Sequence, residues 1–296
     1  MGSQVIKELK KEGPERILVP KHKEIDLRDQ KRVLSYFSKT EPDLVIHLAG
    51  RVGGIGETRA RPAEFFYDNA QMAMNVVEAS YRSGVKKFVG IGSVCSYPKF
   101  SPIPFKEDDL WEGYPEETNA PYGLAKKMML VQTQAYTMQY GFKGIHLLMV
   151  NLYGPGDELD PKSSHVISGM IYKFLSAKRK KQREVVFWGD GSPTREFLYV
   201  EDAARGIVLA SKRYSKSDPV NLGSGMEISI KELAVLLKDM TGFEGKIIWD
   251  TSKPNGQPRR CLDVSRAQKE FGFKARVSFK EGLRLTIDWY LENISK

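Results

Sequence analysis

Three apolar runs decide what this chain can fold into. Asp43-Leu-Val-Ile-His-Leu-Ala49, Lys87-Phe-Val-Gly-Ile-Gly-Ser93 and His146-Leu-Leu-Met-Val-Asn-Leu152 are short and nearly continuous, without polar alternation. Strands covered on both faces read this way, and they belong to parallel sheets. Long helical stretches separate them, at about 62–83 with Gly84 as a stop, and at about 122–140. Strand, long helix, strand is the rhythm of an α/β fold with a doubly wound parallel sheet. Upstream, a helix over 3–13, a strand over Arg16-Ile-Leu-Val-Pro20 and a helix over 29–39 extend the pattern. Gly50 to Gly56 is a Gly-rich turn, and 98–120 a polar loop rich in Pro and acids. After Tyr153-Gly-Pro155 the rhythm changes. Helices at 164–177, 201–213, 228–241 and 279–293 alternate with strands over 185–188 and 196–200, one ending at Asn221, and one near Ile247. The tail reads as a smaller lobe closing over the crevice of the first.

The chemistry concentrates at Tyr122-Gly-Leu-Ala-Lys126 and Ser93. Residues four apart on a helix share a face, one turn apart. Ala125, Met128, Met129 and Leu130 favour helix, so the spacing is usable. An ammonium near a phenol favours the phenolate, which lowers its pKa toward the working range. Such a Tyr can pass a proton to or from a carbonyl oxygen. Ser93 closes a predicted buried strand, and carboxyl ends of parallel strands line the ligand crevice of α/β sheets. Ser, Tyr and Lys together suit hydride transfer at a carbinol or ketone. By itself, Y-x-x-x-K is more often surface helix; the Ser strand end about 30 residues earlier favours chemistry. Cys95, two residues past Ser93, shares its side of an extended chain. Its bland reading is a small core filler. His165 could simply cap the helix that follows, although Ser163 or Ser164 suits that job better.

The net charge of +9 fits an anionic ligand, with nucleic acid as the rival. The densest basic run, Lys178-Arg-Lys-Lys-Gln-Arg183, reads better as a solvated helix end and loop. Two cysteines, Cys95 and Cys261, are too few for a disulfide framework. No segment approaches the roughly 18 apolar residues of a membrane span. Met1-Gly-Ser-Gln-Val-Ile-Lys7 has no apolar signal core. A soluble chain in the reducing cytoplasm is expected.

Several stretches, in order, resemble the GDP-L-fucose synthase family of extended short-chain dehydrogenase/reductases. They are Val52-Gly-Gly-Ile55, Gly92-Ser-Val-Cys-Ser-Tyr-Pro98, Tyr122-x-x-x-Lys126, Asn151-Leu-Tyr-Gly-Pro155, Ser164-His-Val-Ile167, Trp188-Gly, Arg195-Glu-Phe and Lys253-Pro-x-Gly-x-Pro-Arg259. The resemblance implies a Rossmann-like dinucleotide-binding domain, 1–155 plus about 196–222. A nucleotide-sugar domain takes about 156–195 plus 223–296. It implies C3/C5 epimerisation and NADPH-dependent C4 reduction of GDP-4-keto-6-deoxy-D-mannose. Protons beside a ketone are acidic, and inverting that carbon needs a base on one face and an acid on the other. Cys and His suit both tasks near neutrality.

By resemblance, Cys95 takes the proton and His165 returns one. Ser93 and Tyr122 hold and protonate the ketone oxygen, and Lys126 tunes Tyr122 and binds the nicotinamide ribose. The implied NADP(H) contacts are Gly2, His22, Asp26, Leu27, Leu48, Ala49, Ile91, Gly92, Lys126, Met149, Asn151, Leu152 and His165. The implied GDP-sugar contacts are Asn151, Lys173, Trp188, Arg195, Lys253, Gly256 and Arg259, with no metal. A homodimer through the helices at 62–83 and 122–140 is expected, and neither nucleic acid nor membrane as partner.

The sequence departs from the family pattern at the start. Gly2 matches the last glycine of a G-x-x-G-x-x-G turn, and the strand and earlier glycines have no counterpart. Lys21, His22 and Lys23 after the 16–20 strand favour NADP over NAD. Met149-Val150 stands where Pro-Thr is usual. Two rival readings stay open: a reductase or epimerase of another GDP-keto-sugar such as a heptose, and a cofactor-deficient GDP-sugar-binding protein.

Overall fold

The computed structural model describes residues 1–157, 164–253 and 255–294. A four-stranded parallel sheet runs β1 (Leu44–His47), β2 (Lys87–Ser93), β3 (Gly144–Met149) and β7 (Val220–Leu222), in that spatial order. β2 and β3 sit inside it, which is why they carry almost unbroken apolar residues. α1 (Gly2–Lys11) and α7 (Val200–Arg213) pack together. α2 (Gln30–Thr40), α4 (Pro62–Arg82) and α5 (Ala120–Tyr140) form another layer. Pro62 and Pro121 stand in the first turns of α4 and α5, where a missing N–H costs nothing. Gly141 ends α5 at φ 68°, a conformation glycine adopts without strain. A short helix, α3 (Ile55–Ala60), grows out of the Gly-rich turn.

The expected strand over residues 16–20 is absent. Strands exist only against a partner's N–H and C=O groups, and none pairs with this stretch among the described residues. Leu18 and Val19 are exposed. The expected strand over 146–152 is two strands. It breaks at Val150, whose N–H donates to the Leu222 carbonyl. β3 stays in the first sheet, and β4 (Asn151–Tyr153) leaves to pair with β6 (Thr194–Tyr199). That break carries the chain from one sheet to another directly above the carboxyl ends of β2 and β3.

β6 is the hub of the second sheet, taking β4 and β10 (Arg259–Arg260) in parallel and β8 (Glu227–Ser229) antiparallel. β5 (Glu184–Trp188) pairs with β9 (Lys246–Asp250). A core containing Ile171, Phe174, Phe187, Phe197, Leu233 and Tyr290 joins these strands to α6 (Val166–Arg179), α8 (Ile230–Thr241) and α10 (Phe279–Ile294). α8 starts with a capping box, Ser229 with Glu232. α9 (Ser265–Phe271) packs instead with α7 and β7, so Leu262 and Phe271 belong to the core of the first sheet. Glu196 ties the two sheets together. It is fully buried, and its carboxylate accepts N–H bonds from Leu262 at 2.7 Å, Gly225 at 2.7 Å and Ser224 at 2.5 Å.

Candidate active site

Ser93 ends β2, and the chain turns at once into a single 3-10 turn over Val94–Ser96. The Cys95 N–H donates to Ser93 Oγ at 3.2 Å, which folds the two side chains onto one loop. Helix α5 is pressed against this turn. Ser96 Oγ donates to the Gly123 carbonyl at 3.0 Å, and a Cβ on Gly123 would lie 2.2 Å from the Cys95 carbonyl oxygen. That close approach brings Tyr122 into hydrogen bonding with Ser93 and within the electrostatic reach of Cys95.

The protonation of this cluster differs from the sequence expectation. Burial, followed by the charge of Cys95, raises the Tyr122 pKa; Ser93 is the group that opposes the rise. Lys126 lies with its Nζ 5.8 Å from the Tyr122 ring centroid. It is buried, and burial alone lowers its pKa to about 8. Tyr122 is therefore kept as the phenol, the form able to donate a proton to a ketone oxygen. Below Lys126 lie two buried imidazoles that the motif reading passed over, His47 on β1 and His146 on β3. Burial, then the charge of Lys126, lowers both to about 3, so they stay neutral. His146 packs against Gly92, where a Cβ would meet its Nε2 at 2.3 Å. A polar residue inside an otherwise apolar run was the signal for both.

His165 is the N-cap residue of α6, yet its side chain does not cap. Its Nδ1 lies 3.2 Å from Asp157 Oδ1, and that contact raises its pKa against the cost of burial. Asp157 was not foreseen. The imidazolium form that Asp157 favours is the one able to give a proton. Of the two alternative caps, Ser164 precedes the N-cap position that His165 takes, and Ser163 lies outside the described residues.

Arg195, on β6, is partly buried, and its Nη1 donates to the Thr194 carbonyl at 2.7 Å. Burial, then the neighbouring charge of Arg260, lowers it to about 10. Asn151, on β4, donates from Nδ2 to the Glu196 carbonyl at 2.9 Å. Lys173 Nζ donates to the Val186 carbonyl at 2.9 Å and lies over the Phe187 ring. Trp188 is 58% exposed at the end of β5, an open aromatic face. Gly189 follows at φ 78°, where a Cβ would strike Asn255 Oδ1. Gly256 has φ 74°. Lys253 is exposed, and Pro254 lies outside the described residues. Arg259 is exposed and paired with Glu227, Nη2 to Oε2 at 2.7 Å. The buried arginine beside the cluster is its neighbour Arg260, a residue the sequence reading did not single out.

Of the residues expected at the cofactor, Leu48 and Ala49 follow β1, Ile91 and Gly92 close β2, Met149 closes β3, and Asn151 and Leu152 open β4. Gly2 begins α1, and a Cβ there would lie 3.9 Å from Leu48 Cδ1. Asp26 is bound by the Arg28 guanidinium, which holds its carboxyl well below the usual range. The Leu27 carbonyl accepts from Asn75 Nδ2 at 2.9 Å. His22 is exposed in a turn beside Lys21 and Lys23. Among the described residues no His, Cys, Asp and Glu cluster suits a metal. No described helix is long and apolar enough to cross a membrane.

A Ser–Tyr–Lys cluster at the carboxyl ends of a parallel sheet, with a second lobe above it, defines a class. The chain belongs to the NAD dependent epimerase/dehydratase family, whose model matches residues 1–223. Within it, the chain belongs with the GDP-L-fucose synthases. It is 43% identical over 295 residues to a probable GDP-L-fucose synthase 1 of Oryza sativa subsp. japonica, covering 99% of this chain and 90% of the relative. A solved GDP-L-fucose synthetase from Naegleria fowleri bound to NADP superposes with TM-score 0.89 at 30% identity, over 100% of this chain and 92% of that one. A GDP-6-OMe-4-keto-L-xylo-heptose reductase from C. jejuni gives TM-score 0.92 at 28% identity, over 98% and 94%.

Proposed function

We propose that this chain epimerises GDP-4-keto-6-deoxy-D-mannose at C3 and C5 and reduces it at C4 with NADPH, giving GDP-L-fucose. One observation carries the reading: Cys95 shares a turn with Ser93, against the helix of Tyr122. A proton acceptor thus stands beside the groups that hold a ketone. Ser93 and Tyr122 hydrogen-bond the ketone oxygen, which stabilises an enolate. Cys95 removes the adjacent ring proton, and His165, kept protonated by Asp157, delivers one to the other face. Tyr122 then protonates the C4 oxygen during reduction. When bound, NADPH supplies the hydride.

The cofactor fits the residues present. Burial is the only influence on the Lys126 pKa, which suits an ammonium partnered by ribose hydroxyls. The exposed Lys21, His22 and Lys23 suit a 2′-phosphate. Arg195 and Lys173 suit the diphosphate, and Trp188 the base. A second reading, a C4 reductase of a GDP-heptose, is favoured by the similarity to the heptose reductase. Deuterium uptake at C3 and C5 from heavy water separates the two.

Residues 1–155 with about 196–222, and about 156–195 with 223–296, remain our proposed cofactor and sugar domains, with two exchanges between them: β6 pairs within the second sheet, and α9 packs on the core of the first. The outer faces of α4 and α5 expose Tyr67, Met74, Val131 and Met138, an apolar surface that suits a second copy. Free Cys95 and Cys261 fit a reducing, cytoplasmic setting.

A further inference from the structure

Arg260 is 8% exposed and lies on β10, in register with Arg195 on β6. Its Nη1 donates to Cys95 Sγ at 3.5 Å. Its Nε donates to Gln257 Oε1 at 2.6 Å. Gln257 Nε2 in turn donates to the Lys99 carbonyl at 2.9 Å. The guanidinium is planar and its donors form a rigid fork. With one nitrogen pinned by an amide that is itself pinned, another is aimed at sulfur.

The charges around the sulfur agree with this aim. Arg195 feels Arg260, Cys95, Glu116 and Glu227, and Glu116 in turn feels Arg260. Tyr122 faces Cys95 from α5, and Ser93 accepts the Cys95 N–H. Glu227 is already held by Arg259, so two guanidiniums share one partly buried site with Glu116 as their remaining carboxylate. A buried charge needs an opposite partner. A thiolate on the sulfur that Arg260 faces would supply a second anion for the pair.

We propose that Arg260 is a positioning residue for epimerisation: its hydrogen bond holds Cys95 as the thiolate that accepts the ring proton. The proposal rests on the reading of Cys95 as the base. In the step itself the C–H bond breaks and an S–H bond forms. The electron pair moves to the ketone oxygen as an enolate, and Arg260 keeps its own protons. Reduction at C4 makes no use of the sulfur, so the two half-reactions should respond differently to Arg260.

The test uses the full chain and needs no sugar. Iodoacetamide alkylates thiolates, and mass spectrometry scores Cys95 and Cys261 separately. Cys261 is a slow internal reference, since burial pushes it up to about 12. In R260M, Cys95 alkylation at pH 7 should fall roughly tenfold. R260K should recover most of the loss. An unchanged rate in R260M would overturn the proposal. Should R260M fail to fold, Q257A carries the test, because it keeps every charge and removes the amide that aims the guanidinium. Slower alkylation in Q257A supports the proposal, and an unchanged rate overturns it. Deuterium uptake into the GDP-keto-sugar is measured alongside. If the parent chain exchanges none, the functional reading has failed, while the alkylation result still decides the role of Arg260.

Discussion

Replacing Lys126 by Met removes a charge the fold holds at a cost. The ammonium is 5% exposed, and burial lowers it from an ordinary 10.5 to about 8. At about 1.4 kcal/mol per pH unit, that gap corresponds to roughly 3 kcal/mol. The sign follows from where each state holds the proton. Below pH 8 both folded and unfolded chains carry it, and the burial penalty is fully present. Between about 8 and 10.5 only the unfolded chain keeps it, so the parent gains stability as pH rises. The Met side chain has nothing to lose. K126M should therefore be more stable than the parent at pH 7, by up to about 3 kcal/mol, and the difference should shrink as pH approaches 10. Urea denaturation of both proteins at pH 7, 8, 9 and 10, without nucleotide, reads it. A stability difference constant across that range would refute the assignment of Lys126 as a buried, uncompensated cation. K126M should also lose reductase activity, so the gain in stability and the loss of function come from one side chain.

The other predictions concern the site and its frame. D157N removes the carboxylate that favours protonated His165, so the high-pH fall in epimerisation should move to lower pH; an unmoved limb in a pH–rate profile would remove Asp157 from the account. C95S should slow deuterium uptake at C3 and C5 by roughly 100-fold or more while NADPH binding, followed by fluorescence, is retained. E196A leaves the N–H groups of Leu262, Gly225 and Ser224 without their acceptor and should cost about 3 kcal/mol in urea, with E196Q costing less. W188A should raise KM for the GDP-sugar with kcat little changed; an unchanged KM would take the base off that aromatic face.

How much was legible follows from the range of the forces involved. β2 and β3 were readable because both faces are covered, and an unbroken apolar run records that. Residues 16–20 look the same locally, but a strand needs a neighbour's ladder, which composition does not encode. β8 and β10 are too short to leave a periodic trace. In the site, Ser93, Cys95, Tyr122 and Lys126 were visible because strand end and helix turn set their spacing. Arg260 stands 165 residues from the cysteine it touches, so only the pairing of β10 with β6 brings it there. Arg259 and Arg260 face opposite sides of β10, since successive side chains of a strand alternate. Arg259 went to Glu227, and Arg260 to the cluster. The protonation of Tyr122 was read with the wrong sign, because helix spacing reports proximity of charge and is silent about burial.

Incubating the chain with GDP-4-keto-6-deoxy-D-mannose and NADPH in heavy water tests the central claim most directly. The account predicts NADPH consumption together with deuterium at C3 and C5 of the product. NADPH consumption with no deuterium at either carbon would contradict it, leaving a reductase in which Cys95 and His165 move no protons.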